Sequence, residues 1–222
     1  MYYRLSYTLD PETPSYKGGP RFSSTSYLSI DRGDRYNTSF FTMTNHVGTH
    51  LDTPHHFLNN GKTVDSFDIS TFIFERPVLL DINRGHSELI TRDDLKRFEN
   101  EIHGKDLLLV RTGFGRLIRD SDRRSYEFSG PAFSSDAARY LTELKDLRAL
   151  GFDFISLGTS EYEEDGQTAH RVLLAKENQP GFFIIEDMNL NHDLKSLKKV
   201  IVAPLYIRGF DGSPCTVVAE TN

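Results

Sequence analysis

Cysteine occurs once in the 222 residues, at Cys215. No internal disulfide framework and no cysteine-rich zinc module is therefore available, and such usage suits a reducing compartment. Beside Thr216, Val217 and Val218 the lone thiol reads as a small buried hydrophobe. No apolar run approaches the roughly 18 residues that span a bilayer. The opening stretch Met1-Tyr2-Tyr3-Arg4-Leu5-Ser6 also lacks the basic and then apolar regions of a signal peptide. The expectation is a cytoplasmic protein with no membrane partner. Concentrated positive charge is missing too. The formal net charge is -6, and the densest basic clusters are only Arg123-Arg124 and Lys195 with Lys198-Lys199. Binding to phosphate backbones needs a basic stripe, so nucleic acid is not an expected partner.

Two common signatures are absent as well. No Gly-x-Ser-x-Gly elbow occurs, and Gly158-Thr159-Ser160 lacks its second glycine, which sets aside a serine nucleophile. Gly113-Phe114-Gly115 lacks both the third glycine and the helix signal of a dinucleotide loop. There is no repeat, low-complexity tract or long linker. The 37% apolar and 26% charged residues are those of an ordinary globular protein able to bury a core, and one domain over residues 1–222 is expected.

Thr25, Tyr27, Leu28 and Ile30, then Tyr36, Thr38, Phe40 and Thr42, flank Asp31-Arg32-Gly33-Asp34 and predict a hairpin. Short apolar runs at residues 76–82, 106–112, 153–157, 181–185, 199–207 and 216–219 predict buried strands. Thr91, followed by Arg92, Asp93 and Asp94, predicts a capped helix start. Ser134 or Ser135 precedes Ala137, Ala138, Leu141, Leu144 and Leu147 on one helical face, with Gly151 as the stop. A third helix is expected over residues 169–176. Many strands with few, irregularly placed helices predict a mixed sheet rather than a doubly wound fold.

Four of the eight histidines fall between Asn45 and Leu58. Neutral imidazole and carboxylate suit zinc, manganese or iron, and a catalytic site commonly supplies three such donors with a position left for water. His46, His50 and Asp52 form such a set. On a continuous helix Asp52 would turn off the face shared by His46 and His50. Gly48 and Pro54 interrupt regular structure, so the segment reads as a folded ligand loop. His55 by itself reads as an ordinary histidine. Considered alone, His170 suits a cap or core position and Glu186 a solvated strand end.

The pattern His46-x-Gly48-Thr49-His50-x-Asp52-x-Pro54-x-His56 resembles the signature of the cyclase/metal-dependent hydrolase family, which includes bacterial kynurenine formamidases and isatin hydrolases. Residues 151–157, 169–174 and 183–190 resemble its second half in the same order. The resemblance implies a swivelling β/β/α fold, an α/β class with a mixed sheet and a small barrel-like core, assembled as a homodimer or homotetramer. It implies His46, His50 and Asp52 as metal ligands, with Asp52 bridging to a second ion held by His170 and Glu186, and His56 as general acid/base. One or two divalent ions per chain, zinc or manganese, would be the cofactor.

That family resemblance further implies hydrolysis of a small amide, formamide, lactam or lactone carbonyl by metal-activated water, with His56 moving the proton. A metal-dependent cyclase or dehydratase, or a binding member without turnover, is the alternative. Tryptophan is absent, so Tyr16 in Pro14-Ser15-Tyr16-Lys17-Gly18-Gly19-Pro20 stands where formamidases carry a pocket-lining indole, and a phenol still stacks on an aromatic substrate. Residues 158–162 stand where an aspartate-containing loop is expected, and the interval from His170 to Glu186 is longer than the resemblance to formamidases leads one to expect. Phe22, Phe57 and Phe114 are candidate pocket aromatics, and Arg111 is expected to pair with an acid inside the fold.

Overall fold

The structure, a computed structural model, describes residues 1–176 and 181–222. Its strands in chain order are β1 (Tyr2–Arg4), β2 (Ser23–Leu28), β3 (Thr38–Thr42), β4 (His50–Asp52), β5 (Ile73–Phe74), β6 (Pro77–Asp81) and β7 (Leu89–Ile90). They continue with β8 (Leu107–Arg111), β9 (Ala132–Phe133), β10 (Ala149–Phe152), β11 (Phe183–Glu186), β12 (Leu197–Pro204) and β13 (Gly212–Thr221). The helices are α1 (Arg92–Lys96), α2 (Glu99–Ile102), α3 (Phe114–Ile118), α4 (Arg123–Phe128), α5 (Ser135–Glu143) and α6 (Glu163–Leu174).

One sheet of nine strands runs β5-β12-β13-β4-β11-β10-β8-β6, with β1 also on β13. Strands β6, β8, β10 and β11 are parallel, while β4 runs antiparallel to both its neighbours, β11 and β13. Strand β12 also touches β6, so the sheet curls nearly closed on itself. The expected mixed α/β sheet with a barrel-like core is therefore what the chain builds.

The alternation of side chains along a strand splits the interior in two. Leu108, Val110 and Ile184 join Ala137, Leu141, Ala169 and Leu173 under the helices. Leu107, Leu109, Phe183 and Ile185 pack on the opposite face with Leu51, Phe72, Val200 and Val217. Strands buried on both faces need near-continuous apolar sequence, which is why these runs could be read. Cys215 lies buried in the second of these clusters, as expected.

Several expected boundaries move. The strand placed at residues 153–157 lies instead at Ala149–Phe152. Residues 153–157 form a buried turn in which Asp153 accepts hydrogen bonds from the Thr112 and Gly113 backbone and from the Thr112 hydroxyl. Helix α5 ends at Glu143, and Gly151, expected as its stop, sits within β10. Helix α6 begins at Glu163, earlier than expected, behind three acidic residues in its first turn. A short helix does follow Gly113, contrary to the expectation for that segment, although the third glycine of a nucleotide loop is still lacking. Among the described residues no helix is long and apolar enough to cross a membrane.

The hairpin exists as β2 paired with β3. Residue Tyr36 falls outside β3, and a 3-10 turn at Ile30–Arg32 closes on left-handed Gly33 between the strands. It forms a separate two-stranded sheet, with Tyr27, Phe40 and Phe41 exposed.

Thr91 caps α1 in a reciprocal box with Asp94, and Arg84 pairs with the same carboxylate. Burial opposes ionisation of Asp94, but Arg84 and the Thr91 hydrogen bonds outweigh it and hold the pKa down at about 2. Asp94→Asn should therefore cost about 1 kcal/mol of stability at neutral pH in denaturant titration. Because the folded value lies below the ordinary 3.8, this contribution is complete above that pH and disappears as pH falls through about 2. A variant as stable as the parent at pH 7 would contradict the assignment.

Candidate metal centre

Strand β4 lies inside the sheet, and its register decides which side chains meet. Glu186 stands directly opposite His50, and Ile184 opposite Asp52. Opposed residues in an antiparallel pair share a face, as do residues two apart along one strand. His50, Asp52 and Glu186 thus point together towards the helical layer, while Leu51 turns into the other core cluster. The expected loop is here a strand, followed by a 3-10 turn at Pro54–His56.

Helix α6 supplies His170 to the same place. Its buried residues Gly166, Ala169, His170, Leu173 and Leu174 recur at helical spacing, so the imidazole occupies a core-facing position. Gly166 makes this approach possible: a Cβ there would lie 2.3 Å from the Cα of Gly158. His170 Nε2 lies 3.3 Å from Glu186 Oε1 and 3.8 Å from Asp52 Oδ2. His50 Nε2 lies 3.4 Å from Asp52 Oδ1 and 3.3 Å from Glu186 Oε2.

Both rings are anchored from behind. His50 Nδ1 donates to Gly48 O at 2.8 Å and His170 Nδ1 to Gly166 O at 2.7 Å, which turns each Nε2 towards the carboxylates. Glu186 is held by the Leu157 backbone N–H at 3.1 Å. Two facing atoms, His50 Nε2 and Asp52 Oδ2, are buried with no hydrogen-bond partner among the described residues. A buried carboxylate oxygen and a ring nitrogen left unmatched are costly, and both are donors suited to a divalent cation. His50, Asp52 and Glu186 form one group of mutually close donor atoms, and His46, Asp52 and His56 a second, so that Asp52 belongs to both.

His46 is joined to two carboxylates, with Nδ1 2.9 Å from Asp52 Oδ1 and Nε2 2.9 Å from Asp211 Oδ2. A carboxylate only accepts, so both ring nitrogens carry hydrogen and His46 is an imidazolium here. Burial opposes that charge, but the bonds to Asp211 and Asp52 outweigh it and push the pKa up to about 10. Burial likewise opposes protonation of His50 and His170, and Glu186 and Asp52 outweigh it in both. Burial would raise the pKa of Asp52, yet His56, His46 and His50 hold it below the usual carboxylate range. The close approach of His46 requires Gly212 opposite Asp52, because a Cβ there would lie 2.5 Å from His46 Cε1.

Asp211, which follows an exposed loop and precedes β13, is the residue the sequence reading missed. Its Oδ2 accepts from His56 Nδ1 at 2.7 Å and its Oδ1 from Asn45 Nδ2 at 2.7 Å. Hydrogen bonds from His46 and His56 hold its carboxyl well below the ordinary range. Its partners lie more than 150 positions away along the chain, and only the Asp-Gly step before a strand marks it locally.

A cavity of about 330 Å³ opens over these groups, lined by His46, His56, His170 and Glu186 and by Tyr16, Phe57, Ile155, Glu163 and Gln167. Tyr16 thus stands in the cavity wall. Phe57 stacks on His170 with centroids 4.7 Å apart, and His56 on His46 at 4.0 Å. Of the other candidate aromatics, Phe114 belongs to the core and Phe22 stacks on Phe41 at the hairpin. His55 stands outside both donor groups. Arg111 pairs with an acid, Asp81, through two hydrogen bonds, but at the surface rather than inside the fold as expected. Within the stretch 158–162 only Gly158 lines the cavity. The long interval after His170 does not prevent that residue from meeting Glu186.

Comparison with known proteins gives a consistent result. The family model described as "Putative cyclase" matches residues 3–159. Kynurenine formamidase of Bacillus thuringiensis subsp. konkukian (strain 97-27) is 30% identical over 218 residues, covering 97% of this chain and 95% of that protein. A solved structure of isatin hydrolase A from Labrenzia aggregata superposes with a TM-score of 0.80 at 24% identity, covering 99% of this chain and 93% of the other, a likeness of fold. A structure described as a potential metal-dependent hydrolase with cyclase activity gives a TM-score of 0.75 at 26% identity, covering 99% and 96% of the two chains.

His46 becomes a donor only by giving up an N–H. Binding of Zn²⁺ or Mn²⁺ at pH 7 should therefore release at least one proton per chain, and affinity should rise with pH. Calorimetry in buffers of different ionisation enthalpy measures the release directly, and binding without proton release would contradict the protonated state assigned to His46.

Proposed function

The chain belongs to the cyclase family, and on that premise we propose that it is a metal-dependent hydrolase of small, non-peptide amides, cleaving the C–N bond of a formamide or cyclic amide. The observation that carries this reading is the convergence of His46, His50, His170 and Glu186 on the wholly buried Asp52, with His50 Nε2 and Asp52 Oδ2 lacking a hydrogen bond among the described residues. The names of the relatives, kynurenine formamidase and isatin hydrolase, support the same bond type.

By the family resemblance His46, His50 and Asp52 would hold one ion, and His170 and Glu186 together with Asp52 a second, although the donor atoms that lie closest together group His50 with Asp52 and Glu186 and leave His46 with Asp52 and His56. Imidazole and carboxylate donors favour zinc or manganese. When bound, such an ion polarises a carbonyl and lowers the pKa of a coordinated water from about 15.7 towards about 7.

The remaining chemistry belongs to side chains of the protein. Asp211 accepts the Nδ1 hydrogen of His56, which leaves Nε2 with the lone pair and fixes the ring in the cavity wall. His56 Nε2 then takes a proton from the attacking water and returns it to the departing nitrogen, so His56 serves as general base and then general acid. Asp211 acts through His56 and His46, as a positioning residue. Tyr16 and Phe57 give the cavity aromatic edges, and its volume lies near the lower end of the roughly 300–1,000 Å³ typical of ligand pockets. A single aryl or small cyclic amide fits that scale, with the Tyr16 ring stacking on it.

Metal-loaded protein assayed against formamides, lactams and lactones should show turnover with incorporation of heavy oxygen from labelled water. His56→Ala should retain the metal while kcat falls about 100- to 10,000-fold. Normal turnover in that variant would remove His56 from the mechanism, and product formed without solvent oxygen would point to cyclisation or dehydration.

A homodimer or homotetramer in the cytoplasm belongs to the same proposal. The compartment is supported by the lone, buried Cys215. Assembly is supported by the ribbon of β2 and β3, whose exposed Tyr27, Phe40 and Phe41 form the type of apolar surface that partners cover. Phe40→Ser with Phe41→Ser should shift the sedimentation of the protein towards the monomer, and an unchanged assembly would take the ribbon out of the interface.

A further inference from the structure

Glu186 ends strand β11, and the residue after it leaves the sheet in an uncommon way. Asp187 has φ of 51°, a left-handed conformation that side chains other than glycine seldom adopt and that persists only where surrounding contacts impose it. Those contacts are all visible. The Asp187 backbone N–H donates to Phe154 O at 2.9 Å, and its carbonyl accepts from Thr49 Oγ1 at 2.5 Å. Its Oδ1 accepts from Arg119 Nε at 3.0 Å and Tyr126 OH at 2.7 Å, and its Oδ2 from Arg119 Nη2 at 3.1 Å.

This cluster lies within the protein, away from the cavity lining. Asp187 is 2% exposed, Arg119 7% and Tyr126 0%, and the Arg119 guanidinium lies 3.8 Å from the centre of the Tyr7 ring. A buried ion pair is a poor device for stability alone, since well-packed apolar residues often serve equally well. What a two-pronged Arg-carboxylate pair supplies is fixed direction.

The direction matters because of what Asp187 joins. On one side it is bonded to Glu186. On the other its carbonyl holds Thr49, which lies between His46 and His50 and whose hydroxyl also accepts from the Tyr7 backbone N–H at 3.0 Å. The two strands that supply metal donors are thus tied through one residue just beyond their ladder.

We propose that Asp187 is a positioning residue of the metal centre: Arg119 and Tyr126 hold it in the left-handed turn that aims Glu186 at His50 and His170 and keeps β11 in step with the His46–Asp52 segment. The inference rests on the reading of these residues as metal donors given above.

The test is metal affinity, measured by chelator competition with Mn²⁺ and with Zn²⁺, alongside the thermal midpoint of the metal-free proteins. Asp187→Ala and Asp187→Gly are each compared in an Arg119→Met background, which avoids leaving a buried guanidinium unpaired. Glycine enters the left-handed region freely and alanine resists it. The alanine variant should therefore bind about 10- to 100-fold more weakly than the parent, and the glycine variant should recover most of that loss without regaining thermal stability. Equal affinity in the two variants, or affinity that simply follows the thermal midpoint, would overturn the proposal. Tyr126→Phe, which removes a single hydroxyl, covers the case in which the double variants do not fold. It should weaken binding several-fold, and unchanged affinity would count against the proposal. Failure of the parent itself to bind either ion would instead refute the metal reading, and needs no variant to detect.

Discussion

A carboxylate with no exposed surface must be stabilised by fixed charge, and at Asp52 that requirement organises the centre of the protein. Removing such a group from water costs several kcal/mol even after relaxation. Asp52 offsets the cost through His46 at one oxygen, with His50 and His170 close by. Its second oxygen has no hydrogen bond among the described residues. The centre is thus built to accept positive charge.

The sheet makes this arrangement rigid. With β4 paired on both edges, the positions of His50 and Asp52 are set by backbone ladders, and Glu186 is brought opposite by register. Long-range contacts then complete the site from three directions: His170 from α6, Asp211 from the start of β13, and Tyr16 from the segment before the hairpin. Asp211 also links two histidines, because one carboxylate oxygen is bonded both to His46, beside Asp52, and to His56.

Parts of this could be read along the chain for definite reasons. Strand β8 is buried on both faces, so its apolar run is nearly uninterrupted, whereas β12 alternates buried and exposed residues after Lys198-Lys199. Thr91 and Asp94 form a cap whose two halves are three residues apart. Boundaries failed where tertiary packing overrode local pattern: residues 153–157 are apolar because they are buried in a turn braced by Asp153, and Leu147 is apolar because it packs in the core beyond the end of α5. Gly151, read as a helix stop, stands in β10 where a side chain would meet Met188 and Leu109.

The sequence by itself determined the mixed α/β character, the hairpin and the donor cluster at His46, His50, Asp52 and His56, since each of these is written in residues a few positions apart. The tertiary structure alone decided that His170 and Glu186 reach Asp52, that Asp211 orients two histidines, and that Asp187 ties the two donor strands together. The physical reason is separation along the chain. Periodicity and turn chemistry act over a few residues, whereas a carboxylate at one end of the chain and an imidazole near the other meet only after strand register and helix packing have fixed both.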